Sequence, residues 1–234
     1  MVKKIMWLAI DTSTRRTVLA LKDGSETKER LFEPRATQKV IFGELANLLD
    51  PDILLELEGI VVGIGPGSFT GLKIGATAAK TLAWSRELPI IGVGSLEAVA
   101  AGMEPPVKPD SELVVAVPST RGEAYVQICE FKEEQWKCVG PIIDIHLKFD
   151  ELNSNLPETQ LIVTGESTDA LIEAFAGKRD VIAAEEKHRF PSAKGIFAVA
   201  EKRIVAGDFD NALTLVPMYI RPSQPERLDR EAGK

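Results

Sequence analysis

The residues with the plainest chemical potential are Asp11-Thr12-Ser13-Thr14. A carboxylate followed by hydroxyls in a tight turn can hold a metal-bound phosphate. The Asp would act through Mg²⁺ or its waters, and the hydroxyls and backbone N–H groups would meet phosphate oxygens. The same residues also suit a plain polar turn in which Asp11 bonds nearby backbone N–H groups. The second candidate is Gly63-Ile64-Gly65-Pro66-Gly67-Ser68-Phe69-Thr70-Gly71-Leu72-Lys73-Ile74-Gly75, with five glycines in thirteen residues and a proline among them. Glycine is needed where φ is positive or where another backbone comes close. This loop therefore either cradles a ligand or allows tight packing on the helix behind it. An anion could sit at that helix's N-terminus. Asp11, Thr12, Ser13, Gly65, Gly67 and Ser68 are thus the candidate phosphate-turn residues, weighed as vestigial ones.

Established nucleotide and nucleophile patterns fail here. A Walker loop needs Gly-Lys-Ser/Thr, which is missing. The last Gly/Ala of the dinucleotide fingerprint is missing too, and the loop does not follow the first strand. Ser68 is flanked at two residues by Pro66 and Thr70, so it is not in a Gly-x-Ser-x-Gly elbow. The two histidines, His146 and His188, lie in polar, loop-like stretches and form no His-x-x-x-His pair, so no metal site is expected. Lys73, Lys80 and Arg121 read as solvated charges. Cys129 and Cys138 could lie opposite each other in a hairpin, but the favoured reading is two reduced core thiols of a cytosolic protein.

The elements that must position these residues follow from pattern. Strands are expected at 5–10, 17–21 and 27–32, with Asp23-Gly24 as a hairpin turn. Two hairpin-linked strands at the start make the sheet mixed, which disfavours a plain dinucleotide-binding fold. A helix from about Thr37 to Leu49 carries Val40, Ile41, Phe42, Leu45, Ala46, Leu48 and Leu49. These cover more than the single stripe of a one-sided helix, which suggests extra burial against a partner. A buried strand, Gly59 to Val62, leads into the glycine loop and a helix from about Phe69 to Arg86. In that helix Gly71, Gly75, Ala79 and Ala83 recur every four residues on one face, and a close neighbour is implied. That neighbour is either the parent sheet or a partner helix. A strand at Ile90 to Val93 and a helix from Ser95, with Ser95 as its N-cap, complete a first lobe over 1–104. Pro105-Pro106-Val107-Lys108-Pro109 reads as a linker. A second lobe, 105–216, opens with strands at 113–117 and 124–131. It continues with strand 161–164, a helix near 168–175, strand 181–184 and a helix over 192–206. Residues 217–234 read as an extended segment and a charged tail.

The bulk numbers bound the function. A chain of 234 residues with 44% apolar content suits a packed protein of one large domain or two small lobes. A net charge of −7 argues against a stand-alone nucleic-acid binder. No signal peptide and no 18-residue apolar run are evident, so the expectation is a cytoplasmic protein with no membrane partner.

Taken in order, Leu8-Ala9-Ile10-Asp11-Thr12-Ser13-Thr14, Gly63 through Ala83, Ser95-Leu96-Glu97-Ala98, Arg121-Gly122-Glu123-Ala124-Tyr125 and Pro217-Met218-Tyr219-Ile220-Arg221-Pro222 resemble the TsaB (YeaZ) family. The resemblance spans most of the chain, and the Gly65–Gly71 core is its most specific part. It implies an α/β, actin-like ATPase fold of two ribonuclease-H-like lobes, each a mixed sheet flanked by helices. It implies work in making N6-threonylcarbamoyladenosine at position 37 of tRNA. It implies a non-catalytic subunit that lacks the metal-binding histidines of its paralogue TsaD. The expected partners are TsaD, as a heterodimer, and the ATP-binding TsaE, with tRNA met only through the complex. The expected interface is Val40, Ile41, Leu45, Leu48, Phe69, Gly71, Leu72, Gly75, Ala79 and Leu82, and a homodimer could use the same helices. No cofactor is required, although ATP or ADP with Mg²⁺ could bind weakly or at the interface.

Three segments depart from the family's pattern. Pro118-Ser119-Thr120 stands where Asp-Ala-Arg is common, Gly71-Leu72-Lys73-Ile74 carries Lys for Arg, and Gly165-Glu166-Ser167 replaces a second-lobe Gly-Asp-Gly. The last change agrees with a pseudo-enzyme. Two rivals remain: an actin-like small-molecule kinase or ATPase using Asp11 and both phosphate turns, and a metallopeptidase, as the superfamily label "glycoprotease" suggests.

Overall fold

The computed structural model describes residues 6–33, 38–106, 108 and 110–220. Ile5, Thr37, Arg221 and Pro222, at the ends of expected elements, lie outside the described residues. The chain begins with β1 (Met6–Asp11), β2 (Thr17–Asp23) and β3 (Glu26–Phe32). Then come α1 (Gln38–Leu48), α2 (Pro51–Glu56), β4 (Leu57–Gly63), α3 (Phe69–Arg86), β5 (Ile90–Val93) and α4 (Ser95–Gly102). The second half runs β6 (Glu112–Pro118), β7 (Glu123–Lys132), β8 (Gln135–His146), α5 (Phe149–Asn155), β9 (Leu161–Thr164), α6 (Thr168–Phe175), β10 (Val181–Ala183) and α7 (Ala193–Ala206).

Two five-stranded sheets result, ordered β3-β2-β1-β4-β5 and β8-β7-β6-β9-β10. In each, the first three strands in sequence are antiparallel neighbours and the last two add parallel to the first. The duplication expected from the order of elements is therefore a duplication of topology. This is the two-lobed actin-like, ribonuclease-H-like arrangement.

Side chains alternate across β1, as a strand's period of two demands. Met6, Leu8 and Ile10 meet α1 and α3 through Ile41, Leu45, Ala78, Ala79 and Ala83. Trp7 and Ala9 face the other way, toward Ala98 of α4 and Ala193, Ile196, Phe197 and Ala200 of α7. Helix α4 is shared between lobes, because Leu96, Val99 and Ala100 pack instead on Leu113, Val115, Val117 and Trp136 of the second sheet. Helix α7 likewise corrects the division at 104 and 216, since its apolar face lies on the first sheet. Two close approaches fix this junction. A Cβ on Gly195 would stand 1.9 Å from the Ala98 carbonyl oxygen, and one on Gly102 would stand 2.9 Å from Ser192 Oγ.

The cysteines correct another expectation. Cys129 and Cys138 are register partners on β7 and β8 and are joined by a disulfide. The two-residue turn Glu133-Glu134 lies midway between them, with positive φ at both positions. That is the backbone of a type I′ hairpin.

The segment after α7 returns to the first lobe. Asp210 bridges Ile90, Met218 N donates to the Ile64 carbonyl at 2.7 Å, and Lys80 Nζ donates to the Leu215 carbonyl at 2.6 Å. Lys80 is thus a tether rather than a solvated charge.

Candidate functional site

Asp11 ends β1 and is wholly buried. Its Oδ1 accepts from Ser13 N at 2.8 Å and from Ser13 Oγ at 2.6 Å, and its Oδ2 accepts from Ser95 Oγ at 2.9 Å. Burial pushes the carboxyl above its ordinary range, and the bonds from Ser13 and Ser95 offset that only in part. Ser95 is therefore not an N-cap. Gly94 occupies the cap position of α4 without a side-chain bond, and the Ser95 hydroxyl is spent on Asp11 while accepting from Gly65 N at 3.1 Å. Ser95 N in turn donates to the Gly65 carbonyl at 2.8 Å. One serine thus joins the first-strand carboxylate to the glycine loop.

The glycines of the loop are explained by the same turn. A Cβ at Gly63 would lie 1.9 Å from Asp11 Oδ2, at Gly67 2.2 Å from the Ser13 carbonyl oxygen, at Gly71 2.0 Å from the Thr12 carbonyl oxygen, and at Gly75 2.2 Å from Thr12 Oγ1. Gly65 adopts φ +97°, which disfavours any side chain. Thr12 Oγ1 donates to the Gly71 carbonyl at 2.7 Å, and Ser68 N donates to the Ser13 carbonyl at 2.6 Å. Ser68 caps α3, its Oγ accepting from Gly71 N at 3.2 Å. The six residues expected as phosphate turns are thus brought together, and they bond to one another and to Ser95 and Gly71.

The ridge on α3 points inward for the same reason. Gly71 and Gly75 seat Thr12, while Ala79 and Ala83 pack against the sheet core. Of the expected interface, Ile41, Leu45, Leu72, Gly75 and Ala79 are buried inside their own lobe and are corrected to core or turn-packing residues. Gly71, Leu48 and Leu82 are half-buried. Val40 and Phe69 stand exposed at 43% and 51%. Phe42, Trp84 and Tyr219 are exposed as well and were not in the expected set. The second apolar stripe of α1 was the signal that pointed to Phe42. Phe69 lies 5.3 Å from the ring of Tyr219 and carries Lys73 Nζ 4.0 Å above its own ring. Helices α1 and α3 share one side of the first sheet.

Across the lobes, Arg15 N donates to Glu166 Oε2 at 3.1 Å. The guanidinium carbons of Arg15 and Arg16 lie 5.1 and 4.2 Å from the ring centre of the buried Phe190. His146 does not sit in a loop. It ends β8, with Nε2 3.1 Å from Glu123 Oε1. Among the described residues no cluster of three His, Cys, Asp or Glu side chains is arranged to hold a metal ion, and no helix is long and apolar enough to cross a membrane.

Comparison with known proteins adds the lineage. The family model of TsaD, the tRNA N6-adenosine threonylcarbamoyltransferase, matches residues 49–185. The tRNA threonylcarbamoyladenosine biosynthesis protein TsaB of Bacillus subtilis is 32% identical over 176 residues, covering 73% of this chain and 72% of that protein. TsaB of Escherichia coli is 38% identical over 98 residues, covering 41% and 42%. In structure, YeaZ from Pseudomonas aeruginosa aligns with a TM-score of 0.76 at 20% identity over 92% of this chain and all of that one, a likeness of fold. The chain belongs to the TsaB (YeaZ) family of tRNA threonylcarbamoyladenosine biosynthesis proteins.

Proposed function

We propose that this chain is a non-catalytic scaffold that binds and activates TsaD, and with it TsaE, for threonylcarbamoyl transfer to adenosine 37 of tRNA in the cytoplasm. The observation that carries the reading is the state of Asp11. A carboxylate that positions Mg²⁺ must reach its ligand, and here both oxygens are buried and engaged by Ser13 and Ser95. The glycine loop, which would form the matching cradle, is packed onto that turn instead. This supports a pseudo-enzyme role. ATP or ADP with Mg²⁺ would then be held at the joint with a partner rather than by this chain alone.

The docking surface is the outward side of α1 and α3, built on Val40, Phe42, Phe69 and the half-buried Leu48 and Leu82. Large exposed side chains grouped on neighbouring helices mark an interaction surface rather than a solvated one. Without TsaD the same surface would pair two copies of this chain, and tRNA would be met only through the complex.

Co-purification with the cognate TsaD tests the reading. Val40→Glu and Phe69→Glu alter exposed positions and leave the fold intact, so each should abolish capture of TsaD. Full capture by both variants would refute the surface. Steady Mg-ATP turnover by the isolated chain would instead favour the kinase or ATPase reading.

A further inference from the structure

One hydrogen bond joins the turn after β1 to the glycine turn after β9 of the other sheet. The second-lobe turn is closely packed. Gly165 adopts φ +97° with its Cα so close to β6 that a Cβ would lie 2.1 Å from the Ala116 carbonyl oxygen. Ser167 N donates to that same Ala116 carbonyl at 3.0 Å, and Thr168 Oγ1 donates to the Gly165 carbonyl at 2.6 Å. Glu166, between them, is half-buried and sends its carboxylate to Arg15 N at 3.1 Å. The first-lobe side is pinned as well. Arg15 and Arg16 both lie over Phe190, and Arg16 Nε pairs with Glu33 Oε1 at 2.6 Å.

Several other donors of the first-lobe turn bond locally. Ser13 N and Oγ serve Asp11, Thr12 Oγ1 serves Gly71, Thr14 Oγ1 serves Arg16, and Ser68 N serves Ser13. Arg15 N is different, because its acceptor is an anionic side chain from the other lobe. A carboxylate on a turn N–H occupies the place and carries the charge of a phosphate oxygen.

We propose that Glu166 is an internal plug: its carboxylate takes the Arg15 N–H that a small phosphate-bearing anion would use, repels that anion, and ties the two lobes together. This rests on the non-catalytic reading above and supplies a cause for it in one residue. Removing one like charge at about 4 Å is worth roughly tenfold or more in anion affinity near a protein surface.

The test is an amide-resolved NMR titration of the full chain with inorganic phosphate and, separately, with Mg-ATP. It compares wild type with Glu166→Ala and Glu166→Gln. Glu166→Gln keeps an acceptor for Arg15 N and loses only the charge, and well-dispersed spectra check that each variant folds. Expected are slow hydrogen exchange at the Arg15 amide in wild type and Glu166→Gln, and fast exchange in Glu166→Ala. Phosphate should shift the Arg15 resonance at about tenfold lower concentration in Glu166→Ala than in wild type. If Glu166→Ala folds and neither exchange nor phosphate response at Arg15 changes, the plug is overturned while the non-catalytic reading stands. If wild type itself binds Mg-ATP tightly with shifts at Arg15, both the plug and the non-catalytic reading fail.

Discussion

The two lobes share one strand order and differ in what they do with the turn after their first strand. In the first lobe that turn begins at Asp11, which is buried and held by Ser13 and Ser95. In the second it begins at Pro118-Ser119, where Pro118 is exposed and Ser119 Oγ donates to Asp144 Oδ1 at 2.7 Å in a partly buried pair. The crossover helices differ too: α3 spans 18 residues and α6 spans 8. The long helix is seated on its turn through Gly71 and Gly75, whereas in the second lobe the close approach is made by Gly165 alone, onto β6. One topology thus supports a lobe whose first-strand turn is welded to its crossover helix, and a lobe in which the turn after β9, at Glu166, reaches across to the other. The lesson is that the glycine-rich loop of the first lobe and the single Gly165 of the second both mark close packing, and neither marks a ligand by itself.

The largest effects should come from filling those approaches. Gly71→Ala and Gly165→Ala each drive a methyl against a backbone carbonyl, at 2.0 and 2.1 Å, where no side chain can yield. Each should cost about 3 kcal/mol or more, combining overpacking with, at Gly165, a positive φ. Chemical denaturation of both variants checks this, and a benign Gly165→Ala would break the equivalence of the two turns.

Next come the turn-initiating side chains. Asp11→Ala leaves Ser13 and Ser95 with buried, unmet donors and should cost about 2–4 kcal/mol. Ser119→Ala breaks one partly buried bond and should cost about 1 kcal/mol. Thermal melts of the pair would show whether the first-lobe turn is the more deeply built.

A third effect is a pH slope. Burial raises the folded-state pKa of Asp11 above the ordinary carboxylate value of 3.8. Its contribution is therefore complete below the unfolded value and is lost as pH rises through the folded one. Asp11→Asn has no such titration. Denaturant midpoints should show wild type losing ground to Asp11→Asn as pH climbs from about 4 toward neutrality. A difference that is flat, or that grows the other way, would mean that the bonds from Ser13 and Ser95 outweigh burial.

The smallest effect serves as a control. Gly177 has φ +68° and open space around its Cβ position, so Gly177→Ala meets only backbone strain. It should cost about 1 kcal/mol, well below Gly165→Ala in the same lobe.

Much of the framework was legible in the residues. Apolar strands bounded by turn signals placed β5 and β9 at their observed limits, and the helix expected over 192–206 matches α7, which Ser192 caps. Three elements were missed. Helix α2 is a six-residue helix opened by Asp50 and Pro51, too short for a periodic pattern. Helix α5 is a seven-residue polar run. Strand β8 was hidden by Gly140-Pro141, a breaker in sequence that the sheet absorbs as a register shift opposite Gln127, with Gly140 at φ +70°. Of the candidate site, Asp11, Thr12, Ser13, Gly65, Gly67 and Ser68 lie around one pair of packed turns. Spacing along a chain could not show that they bond inward.

By itself, the sequence determined the mixed sheets, the two lobes, the glycine turn and the family, because local patterning and a specific run of residues carry those. Only the tertiary structure decided the rest. It turned Ser95 from a cap into a link between Asp11 and Gly65, paired the cysteines by register, and placed α7 on the first sheet. It sent the Gly71-Gly75-Ala79-Ala83 face inward, leaving Val40 and Phe69 outside. The physical reason is common to all of these. Which of two faces a residue presents, and which distant group meets its hydrogen-bonding atoms, depends on elements far away in sequence whose approach is fixed only when the sheets and helices pack.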